Sequence, residues 1–178
     1  VGGRLGYVVF YNLGFYINNP FEILMIWNGG MSFHGALIGI IISSYLFSKK
    51  NRQQIFFFLD LVAISSPIGI FFGRIANFIN SELVGKITNV SWAVIFPVVD
   101  NSPRHPSQLY EAFLEGILLL VIMNLIYFRK NYKIGDCSYI FLISYGILRT
   151  ISEFFREPDI QVGYLYSSIS MGTALSVV

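Results

Sequence analysis

The sequence predicts an all-α polytopic membrane protein, a helical bundle with a small β-ribbon head on its outer side. Three observations carry that prediction. Of the 178 residues, 54% are hydrophobic, 17% aromatic and only 12% charged, whereas soluble domains carry about 25% charged residues. The apolar residues fall in runs close to the length needed to cross a bilayer core of about 30 Å. The basic residues concentrate in two short loops between those runs. One cysteine, Cys137, excludes an internal disulfide framework, and two histidines cannot make a zinc site without carboxylates.

The elements follow in order. Val1–Asn12 is apolar, with Arg4 and Tyr7 on one helix face. Leu13–Gly30 is mixed, with a turn signal at Asn18-Asn19-Pro20 and a break at Gly29-Gly30. Met31–Phe47 is a span carrying His34 near its start, and Gln54–Phe72 is the next, with a kink expected at Ser65-Ser66-Pro67. Leu83–Arg104 is too polar and turn-rich to span, and Lys86–Thr88 with Ser91–Phe96 suggests a short β-ribbon ahead of a loop at Val98–Pro103. Ser107 is the expected N-cap of a third span, Gln108–Phe128. Cys137–Phe155 is the fourth, and Tyr164 begins an apolar run that stops in mid-span. Val1–Phe10 reads as the tail of a helix already under way. Residues 1–178 are therefore expected to form one transmembrane domain truncated at both ends, with residues 83–104 inserted as a head on the outer side.

Six of the 12 Lys and Arg residues lie in two loops, Lys49, Lys50 and Arg52, then Arg129, Lys130 and Lys133. Both loops are therefore assigned to the cytoplasm, and the two spans between them return the chain correctly. At about 1.5 Å per residue, Arg74 lies about 28 Å above Ile55, and His34 about 22 Å above Lys49. Arg149 and Glu153 lie about 18–24 Å above Cys137. Together with Arg104 and His105, these groups are expected in one slab at the outer leaflet.

Gly73–Gly85 (Gly-Arg-Ile-Ala-Asn-Phe-Ile-Asn-Ser-Glu-Leu-Val-Gly) places a cation, two carboxamides and a carboxylate where a membrane helix is leaving the bilayer. Capping and snorkelling of Arg74 account for one or two polar residues there, and a lipid-headgroup site accounts for all of them. Arg149 and Glu153 are four apart, with Tyr145 a turn below and Arg156 a turn above. Alone, the pair fits a self-contained salt bridge. With Arg74 at the same depth, two guanidinium forks and few acids suit a bound phosphate. His34, among small neighbours, is the candidate base near neutral pH, and His105 is a helix-start anchor and the second candidate. Asp60 and Cys137 are assigned no role beyond local pairing and packing. Glu111 and Glu115 suit a helix start, with Glu111 near enough to orient a cation.

Four segments, Gly30–Gly39 (Gly-Met-Ser-Phe-His-Gly-Ala-Leu-Ile-Gly), Gly73–Gly85, Arg104–Glu111 (Arg-His-Pro-Ser-Gln-Leu-Tyr-Glu) and Arg149–Asp159, resemble the phosphatidylglycerol–prolipoprotein diacylglyceryl transferases. The resemblance covers nearly the whole chain in order. It implies a seven-helix enzyme of the bacterial inner membrane with its active site toward the periplasmic leaflet. Such an enzyme moves the diacylglyceryl group of phosphatidylglycerol to the lipobox cysteine of a preprolipoprotein and releases glycerol 1-phosphate. Carried over by motif, the essential histidine falls on His34, the signature pair on Arg74 and Asn77, the motif's acid and closing glycine on Glu82 and Gly85, and the late-helix pair on Arg149 and Glu153. Catalytic roles are thus expected for His34, Arg74, Arg149 and Glu153, and substrate contacts for Arg74, Asn77, Asn80, Glu82, Gly85, Tyr145, Arg104 and His105. The expected partners are phosphatidylglycerol, the lipobox peptide and membrane lipid; no metal, organic cofactor or nucleic acid is called for. Ala36 and Ala76 stand where the family usually has glycine, and the family's first helices, with an important tyrosine, are not in this sequence, so the chain alone is expected to be inactive. A lipid phosphatase is the nearest enzymatic alternative. A small-anion transporter would place its arginines nearer the midplane.

Overall fold

The computed structural model describes residues 1–157 and the backbone of residues 164–166 and 169–170. The chain forms two compact units, Val1–Leu59 and Asp60–Val178. In the first, α1 (Gly2–Tyr11) packs on α3 (Phe33–Asn51), with α2 (Leu13–Asn18) and two 3₁₀ turns, Pro20–Leu24 and Ile26–Asn28, between them. Small residues set the α1–α3 approach: a Cβ on Gly6 would lie 2.6 Å from the Gly35 Cα, and one on Gly2 would lie 2.9 Å from the Gly39 Cα. Such backbone contact is how helices associate where hydrophobicity supplies no drive. Arg4 is buried, and its guanidinium donates to the carbonyls of Ile23 (3.1 Å), Glu22 (2.6 Å), Met25 (3.0 Å), Gly30 (3.2 Å) and Gly29. The mixed Leu13–Gly30 segment is thus ordered by an arginine from outside it.

In the second unit, α4 (Ile55–Ile79, whose first turn belongs to the first unit), α5 (Ser107–Tyr127) and α6 (Asp136–Glu153) carry the core. Leu119, Met123 and Leu148 are buried together, with Ile64, Leu114, Ile122, Ile140, Phe141 and Tyr145 around them. α5 contains a π-helical stretch at Ala112–Leu118. α4 and α5 meet where a Cβ on Gly116 would lie 2.7 Å from the Phe71 Cβ. Among the described residues, α4 and α5 are the two helices long and apolar enough to cross a membrane. The other two expected spans fall on α3 and α6, of 19 and 18 residues, which carry charges near their ends. Large apolar side chains such as Ile42, Phe47, Phe72, Leu125 and Leu142 stand exposed along these helices, as in a protein whose solvent there is lipid.

Three local expectations change. Ser107 is the first residue of α5 rather than its cap, and its Oγ donates to the Leu83 carbonyl at 3.2 Å. The head ribbon pairs differently: β1 (Val94–Ile95) runs antiparallel to β2 (Pro103–Arg104), and Ile87 also bridges to Arg104. Both expected strands therefore pair with Pro103–Arg104, the last residue of the segment read as loop and the one after it, rather than with each other. Arg104 is the reason, because its buried guanidinium bonds Asp100, Glu157 and the Gly85 carbonyl and so needs the backbone around it. Tyr164–Tyr166 and Ile169–Ser170 form a short antiparallel ribbon, β3 and β4, where a helical span was expected to begin. Aromatic and β-branched residues around Ser167-Ser168 favour that pairing. The remainder of that expected span, 167–168 and 171–178, and Pro158 and Asp159 of the late motif lie outside the described residues.

Candidate functional site

At the C-terminal end of α4, the second unit gathers three helices around a buried ionic cluster. Arg74, near the end of α4, ion-pairs with Glu111 (Nε–Oε2, 2.9 Å) and Glu115 (Nη2–Oε2, 3.2 Å) of α5. Arg149 of α6 meets the same two acids from the other side, Nη1 to Glu111 Oε1 at 2.8 Å and to Glu115 Oε1 at 3.4 Å. Its Nη2 pairs with Glu153 at 2.7 Å. Arg156, beyond the end of α6, reaches to 3.9 Å from Glu111. Ser152 Oγ lies 3.1 Å from Glu115 Oε1. Glu111 and Glu115 are fully buried, and Arg149 nearly so.

This arrangement departs from the expectation of two forks and few acids. Three arginines face three glutamates, so the cluster is formally neutral. A buried charge is tolerated when paired and hydrogen-bonded, and here Glu111 and Glu115 each supply that service to more than one arginine. The pairing also fixes the guanidinium planes. Arg74 uses Nε and Nη2 on the acids, which leaves Nη1 engaged by neither.

Arg74 lines a pocket of about 190 Å³ with Ile70, Gly73, Asn77 and Tyr145. Of the residues singled out by sequence, Arg74, Asn77 and Tyr145 thus share one cavity, with Arg149 and Glu153 in the ionic layer. Asn80 and Glu82 are exposed on the turn that follows α4. That turn holds Ser81 at φ 57° and Leu83 at φ 53°, left-handed conformations that cost a residue with a side chain free energy. It is tied down by the first turn of α5: Gln108 Nε2 donates to the Glu82 carbonyl at 2.6 Å, and Ser107 to Leu83. Both side chains are fully buried.

Gly85 sits where the head meets the end of α6. A Cβ there would lie 2.8 Å from the His105 Cβ and 2.9 Å from the Phe155 carbonyl oxygen, and closer still to the His105 carbonyl. Gly85→Ala is expected to lower stability by about 1–3 kcal/mol through overpacking. Thermal unfolding in detergent measures this, and an unchanged midpoint would contradict the packing described. Arg104 and His105 serve this junction. Arg104 holds Asp100 at 2.6 Å, and that pairing keeps the Asp100 carboxyl below the usual carboxylate range, assisted by the Ser102 N–H. His105 Nδ1 lies 3.3 Å from the Tyr110 hydroxyl, which accepts from Trp92 Nε1 at 2.7 Å, and its ring packs edge-on against Phe155.

His34 belongs to the first unit and is considered by itself. It occupies the first turn of α3, where the Ser32 side chain accepts from the Gly35 N–H at 3.2 Å and caps the helix. With Phe10, Tyr11, Ser32 and Ile38 it lines a pocket of about 240 Å³.

Sequence reasoning under-read Glu111, Glu115, Ser107, Gln108 and Ser152. The available signal was two acids four apart in an apolar run too long to leave them in water, since an intramembrane acid needs a partner.

Comparison with known proteins places these residues in context. The family model described as prolipoprotein diacylglyceryl transferase matches residues 1–178. The chain is 53% identical over 181 residues to a protein of Ehrlichia canis (strain Jake), covering 99% of this chain and 69% of that protein. It is 53% identical to one of Azospirillum brasilense (99% and 68% covered) and 55% identical to one of Rickettsia typhi (99% and 69% covered). All three bear the name phosphatidylglycerol–prolipoprotein diacylglyceryl transferase.

Proposed function

The chain belongs to the prolipoprotein diacylglyceryl transferase family, and on that premise we propose that it transfers the diacylglyceryl group of phosphatidylglycerol to the lipobox cysteine of a preprolipoprotein at the periplasmic leaflet of the bacterial inner membrane. The observation that carries the reading is the Arg74 pocket, in which a guanidinium oriented by buried acids stands beside Asn77 and Tyr145.

The chemistry runs as follows. A cysteine thiol of pKa about 8.5 is only a few per cent thiolate near neutrality. His34 takes its proton, and the thiolate attacks the glycerol carbon bearing the phosphate ester. The C–S bond forms as the C–O bond breaks, and glycerol 1-phosphate departs. Charge grows on that phosphate, and fixed guanidinium groups stabilise it most in the transition state. Arg74 contacts the phosphate through its remaining edge. Arg149 adds positive potential from the layer behind, held by Glu153 at 2.7 Å. Asn77 and Glu82 bind the headgroup glycerol, with Asn80 beside them on the turn. Gly85, Arg104 and His105 act through the junction that holds this wall in place.

The deciding experiment follows labelled diacylglyceryl from phosphatidylglycerol to a lipobox peptide in the full-length protein. A labelled thioether and glycerol 1-phosphate are expected, and release of inorganic phosphate instead would identify a lipid phosphatase. His34→Gln should reduce transfer by about 100-fold or more while phosphatidylglycerol still binds. Near-normal turnover in that variant would reject the base assignment.

A further inference from the structure

We propose that Asp60 is a positioning residue for the transfer reaction, capping α6 from α4 and so fixing the axial register at which Arg149 meets Arg74. The inference rests on the transferase reading of the Arg74 pocket. Asp60 lies in α4 at the end remote from that pocket and is only 1% exposed. Its Oδ2 accepts from the Tyr132 hydroxyl at 2.5 Å and from the Gly135 N–H at 2.6 Å. Its Oδ1 accepts from the Ser138 N–H at 2.8 Å and the Ser138 hydroxyl at 2.5 Å.

Gly135 and Ser138 are the N-cap residue and the third residue of α6. Gly135, at φ 104°, has no side chain with which to cap its own helix. A helix start leaves N–H groups without partners and favours negative charge. Asp60 supplies both the acceptors and the charge from a neighbouring helix. A cap that belongs to another element fixes where that helix begins relative to its neighbour.

The rest of the α4–α6 contact does not fix register. Between the two ends, Ile64 of α4 and Leu148 of α6 belong to one apolar cluster with Leu119 and Met123 of α5, and such burial is non-directional. α4 is also weakened there: Pro67 lacks an N–H, and the Ser65 and Ser66 hydroxyls bond the Leu61 and Val62 carbonyls at 2.9 and 2.7 Å. Directional bonds occur at the Asp60 cap and at the Arg74–Glu–Arg149 layer. Arg74 lies about 21 Å from Asp60 along α4, and Arg149 about 16 Å from Ser138 along α6. The cap is therefore a reference point outside the reacting layer, which leaves that layer free to adjust to a substrate.

Asp60→Asn keeps the volume but removes an acceptor and the charge. With the full-length enzyme in phosphatidylglycerol nanodiscs, kcat should fall about 10-fold or more with KM little changed, since misplacement acts on the transition state. Spin labels at Phe72→Cys and Ile147→Cys, on exposed positions of the outer halves of α4 and α6, should give one narrow distance distribution in the parent. In Asp60→Asn it should broaden or shift. Asp60→Glu separates register from stability: it restores charge and thermal stability, but its longer arm should leave kcat low. Ser138→Ala, which keeps the backbone bonds, should show a smaller loss if Asp60→Asn does not fold. An unchanged distance distribution in Asp60→Asn, or recovery of kcat together with stability in Asp60→Glu, would overturn the proposal. The distance readout does not depend on which substrates the enzyme takes, so failure of the clamp and failure of the transferase reading are separately visible.

Discussion

Replacing Arg74 with lysine should lower kcat for diacylglyceryl transfer by about 100-fold or more, although the charge of the site is unchanged. The expected loss is geometric. Arg74 engages Glu111 through Nε and Glu115 through Nη2 while lining the pocket. A lysine ammonium is a point charge without the planar fork. It can satisfy the acids or approach the phosphate, but cannot present a fixed edge to both. Steady-state kinetics against phosphatidylglycerol, with thermal stability measured alongside, would test this. A fully active Arg74→Lys enzyme would remove bidentate orientation from the mechanism.

Glu115→Gln should show opposite effects on stability and lipid affinity. The substitution is isosteric, so it changes charge and little else. Glu115 is fully buried and lies within ion-pair distance of Arg74 at 3.2 Å and Arg149 at 3.4 Å. Removing one partner from a buried ionic network leaves an uncompensated charge, at a cost of about 3 kcal/mol or more. The same excess positive charge attracts an anionic headgroup. Chemical denaturation in detergent should therefore record lower stability, while KM for phosphatidylglycerol falls and kcat declines as the arginines lose their orientation. If stability and KM both stay at parental values, the neutral ionic layer is not what holds the site.

Much of this architecture was legible from local pattern. Apolar runs and basic loops located the helices, because span length and loop charge are properties of contiguous residues. Arg149 and Glu153 were legible as a pair because helical geometry alone brings residues four apart together, and the structure has them 2.7 Å apart. Arg74 and Asn77 were named from motif and depth and Tyr145 from its place a turn below Arg149, and the three share a cavity. What escaped depended on which helix touches which. Glu111 and Glu115 looked like helix-start acids until the close approach at Gly116 and Phe71 set α5 against α4. Asp60 read as an acid in local pairing, with nothing to name its partner, until its carboxylate met the start of α6. Arg4 looked like a helix-face residue, yet it organises a segment about twenty residues away, through carbonyls that no side-chain pattern displays.

The neutrality of the ionic layer bears on turnover. In the proposed reaction the diester that enters carries one negative charge, and the monoester that leaves carries more. A site with unbalanced arginines would grip that product most tightly of all and stall after each cycle. Glu111, Glu115 and Glu153 temper this grip. As the phosphate departs, Arg74 stays paired with the carboxylates it holds throughout, so a highly charged product leaves no uncompensated cation behind. For the proposed transfer, that release counts for more than a stronger hold on the lipid.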